Sequence, residues 1–85
     1  MKTEGRRIQV NGHFCELTKT EYELYQWMRQ HQGTVVSRNA LLKNVWGFPV
    51  EADTRSVDMC IRRLRVKIGE DMIRTIYGKG YVLTA

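Results

Sequence analysis

Two cysteines, one proline and two phenylalanines are all this chain has of those residues, and no apolar run in its 85 residues approaches the ~20 that cross a bilayer. A membrane-spanning helix is excluded. The N-terminal Met1-Lys2-Thr3-Glu4-Gly5 lacks the apolar stretch that heads a secretory leader. Cys15 and Cys60 stand far apart without the set of close-spaced Cys and His partners that a disulfide framework or a tetrahedral metal site needs, so neither is expected. Two free thiols fit a reducing cytoplasm. His13 and Cys15 read as a strand residue and a small hydrophobe rather than ligands, and Cys60 as an inert packed thiol rather than an oxidant sensor. The chain also lacks a nucleophile elbow, a phosphate-binding glycine loop and paired catalytic carboxylates; Gly78-Lys79-Gly80 is too short to cradle a nucleotide. Neither an enzyme nor a cofactor is expected.

What is present suffices to fold. The composition is 42% hydrophobic and 27% charged with no low-complexity stretch, and the length fits one small domain over residues 1–85. The formal net charge of +5 is unevenly spread: residues 1–53 carry +1 and residues 54–85 carry +4. A local surplus of cations serves either as a footprint for nucleic acid or as a solvated face. Its geometry has to decide.

Arg7-Ile8-Gln9-Val10 alternates polar and apolar residues, Asn11-Gly12 favours a two-residue hairpin turn, and His13–Leu17 forms the return strand. Thr18-Lys19-Thr20-Glu21 has capping-box spacing and opens a first helix, with Leu17 and Tyr22 able to staple it and Gly33 as its stop. Ser37 caps a second helix in which Leu41 and Val45, and Leu42 and Trp46, repeat at four-residue spacing up to Trp46-Gly47-Phe48-Pro49. After Glu51-Ala52-Asp53, either Asp53 or Thr54 caps a third helix that runs to Ile68 and stops at Gly69. Ile73–Tyr77 and Tyr81–Leu83 read as two strands joined by Gly78-Lys79-Gly80.

The third helix is the informative one. At ~100° per residue, Val57, Ile61, Leu64 and Ile68 share a narrow inward arc with Cys60 at its margin. Arg55, Met59, Arg62 and Val66 lie nearly opposite, and Ser56 and Arg63 on the adjoining flank. A helix fits the major groove of DNA, where guanidinium forks bond guanine edges and Met or Val touches a thymine methyl. Arg55, Ser56, Met59, Arg62 and Arg63 are therefore the base-edge candidates; ion pairs with Asp58, Glu70 or Asp71 are the competing account of these arginines. Lys67, Arg74, Thr75 and Lys79 are placed for phosphates, whose contacts add affinity without sequence information.

The segments Leu17-Thr18-Lys19-Thr20-Glu21-Tyr22, Val36-Ser37-Arg38, Val45-Trp46-Gly47, Thr54-Arg55-Ser56-Val57-Asp58, Ile61-Arg62-Arg63-Leu64-Arg65 and Gly78-Lys79-Gly80-Tyr81 together resemble the winged-helix effector domain of OmpR/PhoB response regulators. The resemblance covers nearly the whole chain and implies an α+β winged helix-turn-helix fold, with a short N-terminal antiparallel sheet, three helices and a C-terminal β-hairpin wing. It implies sequence-specific binding of double-stranded DNA and transcriptional regulation, with residues 54–68 in the major groove and the wing, residues 73–83, on the backbone or minor groove through Tyr77 and Lys79. It further implies that Phe48, Val50 and Glu51 are candidates for touching RNA polymerase, that a receiver domain belongs to a longer parent, and that the domain docks in tandem pairs on direct repeats. A protein-interaction module whose basic helix meets an acidic partner is the alternative.

Overall fold

The computed structural model describes residues 6–10, 12–47 and 54–84. Strands β1 (Arg6–Val10) and β2 (His13–Leu17) pair antiparallel with Val10 opposite His13, the register of a two-residue turn. Gly12 takes φ +83 in that turn; Asn11 lies outside the described residues. Helix α1 (Lys19–Gln30) starts on the expected capping box: Glu21 N–H donates to Thr18 Oγ1 at 3.2 Å, and Thr18 N–H donates to Glu21 Oε1 at 3.0 Å. The helix stops at Gln30, with His31 as its cap, before the predicted Gly33. Gly33, at φ +84, instead turns the chain and donates its N–H to the Leu83 carbonyl at 2.9 Å.

The second helix departs from expectation in its winding. Ser37 caps it as predicted, accepting from Ala40 N–H at 3.0 Å, but α2 (Arg38–Leu41) is only one turn long and passes into a π-helical segment, Leu42–Trp46. There the Asn44 side-chain amide donates to the Ala40 carbonyl at 2.7 Å, competing with the backbone ladder. The change of pitch breaks the four-residue repeat. Leu41 and Leu42 are fully buried, whereas Val45 and Trp46 only pack against the core's margin.

Helix α3 (Arg55–Ile68) follows; Thr54 holds the capping position without a side-chain capping bond, and Asp53, the other predicted cap, lies outside the described residues, as do Phe48, Pro49, Val50 and Glu51. Its inward arc is as expected: Val57, Ile61, Leu64 and Ile68 are buried, and Cys60 with them. They meet Leu24 and Met28 of α1, Leu41 and Leu42, and Leu17 of β2 in one core. Strands β3 (Ile73–Ile76) and β4 (Gly80–Leu83) form the second hairpin, one residue shorter at Tyr77 and one longer at Gly80 than the sequence indicated. Val36 bridges to Tyr81, so the chain entering α2 runs along the free side of β4. Two small antiparallel sheets thus flank three helices, the architecture of a winged helix.

Candidate nucleic-acid interface

Because the apolar arc of α3 is committed to the core, its opposite face is forced outward. Arg55, Ser56, Met59, Arg62, Arg63 and Val66 are all exposed there. Met59 keeps 54% and Val66 75% of its surface in solvent, a high exposure for apolar side chains on a packed helix. Arg62 and Arg63 make no hydrogen bond or ion pair among the described residues. Asp58 accepts from Arg38 Nη1 at 2.9 Å and from the Tyr81 hydroxyl at 2.6 Å, so it answers to α2 and β4 rather than to the outward arginines.

The two flanks of α3 use their cations differently. Lys67, predicted to reach phosphate, pairs with the buried Glu21 at 2.6 Å. Its position on the flank facing α1 draws it inward, and its backbone carbonyl accepts the Cys15 thiol at 2.9 Å. Burial raises the Glu21 carboxyl, but the Lys67 ammonium and the Thr18 N–H outweigh it, leaving the group below the usual carboxylate range. On the other flank, Arg65 donates from Nε to the Ile73 carbonyl at 3.0 Å and from Nη2 to Thr75 Oγ1 at 2.7 Å, with its guanidinium 5.5 Å from the Tyr81 ring centroid. Thr75, another predicted phosphate contact, therefore spends one lone pair on holding the wing.

The remaining wing candidates project freely. Arg74 and Lys79 are exposed, and Tyr77 is 91% exposed at the tip. Lys79 N–H closes the turn on the Ile76 carbonyl at 2.9 Å. Gly80 sits at φ +142, where a Cβ would lie 2.0 Å from the Val36 carbonyl oxygen. Burial and the Asp58 carboxylate push the Tyr81 phenol up to about 12, so its proton stays available to that carboxylate. Burial likewise pushes the Cys60 thiol up to about 11, which favours the packed thiol over the reactive one.

Arg38, Asp58, Arg65 and Tyr81 are not among the site residues expected from the sequence; their side chains tie α2, α3 and the wing to one another. Asp58 and Arg65 are seven positions apart and so share a helix flank, a signal that was readable. Glu21 and Lys67 are 46 positions apart, and no local pattern joins them.

The sequence and the fold find counterparts in known proteins. A family model described as "Transcriptional regulatory protein, C terminal" matches residues 12–83. The transcriptional regulatory protein CseB of Streptomyces avermitilis is 45% identical over 83 residues, covering 98% of this chain and 35% of its own length. The chain spans about a third of the length of the curated relatives it matches. Among solved structures, the DNA-binding domain of Klebsiella pneumoniae RstA, in complex with the RstA box, superposes with a TM-score of 0.83 at 31% identity, covering 93% of this chain and 83% of that one. The response regulator DrrB of Thermotoga maritima, an OmpR/PhoB homolog, gives 0.76 at 35% identity over 87% of this chain and 36% of that one. The chain belongs to the OmpR/PhoB family of transcriptional regulatory proteins and matches their C-terminal domain.

Proposed function

We propose that this domain binds double-stranded DNA sequence-specifically and regulates transcription in the cytoplasm as the effector half of a response regulator, a binding protein rather than an enzyme. One observation carries the reading: Ser56, Met59, Arg62 and Arg63 share the outward face of α3 with Arg55, while Asp58, the acid nearest to them on the helix, is turned to Arg38 and Tyr81. A solvated face needs charge alone; guanidinium forks interleaved with a small hydroxyl and an exposed thioether suit base edges and thymine methyls. Arg74, Tyr77 and Lys79 on the wing supply the flanking backbone or minor-groove contacts. Lys67 and Thr75 have smaller parts, since internal partners already hold them. The receiver domain, docking in tandem pairs on direct repeats, and RNA polymerase contact through Phe48, Val50 and Glu51 complete the reading for the full-length parent.

Selection of a site from a randomised duplex pool tests it. The domain should enrich one motif, and Arg63→Ala should lose ~1–3 kcal/mol on that motif with relaxed preference at a single base pair. Equal loss on every sequence would refute base readout and leave the basic helix as a docking face for an acidic protein.

A further inference from the structure

Tyr81 is held more firmly than burial of its ring requires. Its N–H and carbonyl both pair with Val36, at 2.9 and 2.8 Å. On the other side its hydroxyl donates to Asp58 Oδ1 at 2.6 Å, and Asp58 Oδ2 is itself fixed by Arg38 Nη1 at 2.9 Å. The Arg65 guanidinium lies over the ring and grips Ile73 and Thr75 of the neighbouring strand. Three elements, α2, α3 and β4, therefore meet at one phenol. A phenylalanine would fill the same space; what the hydroxyl adds is direction, since a short charge-assisted bond fixes the angle at which β4 leaves α3.

That angle matters because Lys79 stands two residues before Tyr81, at the tip of the hairpin, and phosphates on a duplex are at set distances from the groove that α3 would occupy. A cation on a loosely hinged wing would find a phosphate only part of the time.

We infer that Tyr81, clamped between Asp58 and Arg65, is a positioning residue that aims the wing, so that Lys79 meets the DNA backbone while α3 reads the bases. The inference rests on the DNA reading above. Lys79 contributes the charge; Tyr81 and Arg65 determine where it is delivered.

The test is the salt dependence of affinity for the selected duplex. Lys79→Ala should make the slope of log affinity against log salt shallower by ~0.9, one phosphate contact's worth. Tyr81→Phe and Arg65→Lys, neither of which alters formal charge, should each make it shallower in the same direction while leaving the selected motif unchanged. In the Tyr81→Phe/Lys79→Ala double variant the slope should equal that of Lys79→Ala alone, because an absent cation needs no aiming. Folded variants that keep the wild-type slope, or a double variant whose losses simply add, would overturn the positioning role and leave DNA binding intact. Should Tyr81→Phe not fold at the assay temperature, Arg65→Lys decides alone. A wild-type domain that enriches no motif would bring down the DNA reading, and this inference with it.

Discussion

The two β-hairpins sit on opposite flanks of the same helix and are attached to it in different ways. The first, β1–β2, buries Val10 and Leu17 and is tied to α3 chiefly through the Cys15 thiol on the Lys67 carbonyl and, just beyond β2, the Glu21–Lys67 pair. Its other face is open, with Phe14 67% exposed and the Arg7 guanidinium 5.8 Å from its ring centroid. The second, β3–β4, is held by Arg65, by the Tyr81 hydroxyl, by the Val36 bridge and by Gly33 on Leu83. A hairpin that only covers a core can tolerate play. One that carries a cation to a fixed place cannot, and the polar ties gather where aim is needed.

Glycine substitutions sharpen this contrast most strongly. Gly80→Ala should destabilise the domain by more than about 3 kcal/mol in urea unfolding, since its Cβ would collide with the Val36 backbone and its φ is strained for an L-residue. Gly12→Ala, strained at φ +83 but with open space around it, should cost about 1 kcal/mol. Equal losses at the two sites would erase the distinction between a covering hairpin and an aimed one.

The strap beneath the first hairpin comes next. Glu21→Ala removes the carboxylate half of the capping box and the partner of Lys67 together, for about 2 kcal/mol. The carboxyl is held below its ordinary value in the folded chain, so its stabilisation is complete above the unfolded pKa of ~4.3 and is lost as pH falls through the lower folded value. Acid unfolding curves of wild type and Glu21→Ala should therefore converge at low pH; curves that stay parallel would assign the loss to something other than this carboxylate. The smallest effect belongs to the open face. Phe14→Thr should change stability by less than ~0.5 kcal/mol and leave duplex affinity untouched, and a larger change in either would mean that the first hairpin does more than cover.

Much of this was legible in the residues. The capping box at Thr18 and Glu21, the Ser37 cap and the inward arc of α3 are local patterns, and local patterns are what a sequence records best. The outward arginines followed from the same arc. The π-helical passage at Leu42–Trp46 was not readable, because a side-chain bond from Asn44 to Ala40 competes with a spacing that otherwise fits an α-helix. Nor were the internal duties of Lys67 and Thr75, both of which read as surface groups until α1 and β3 are each packed against α3. The sheet edge formed by Val36 and Tyr81 joins residues 45 apart and leaves no trace in either segment.

That same edge has a bearing on how copies of the protein meet one another. With Val36 laid along its free side, β4 is the middle of three extended segments and offers no bare ladder to a stranger, while the Ile73 carbonyl of β3 is already taken by Arg65 and the strand displays Arg74 outward. Charge and prior pairing deter the strand-to-strand stacking that exposed hairpins invite.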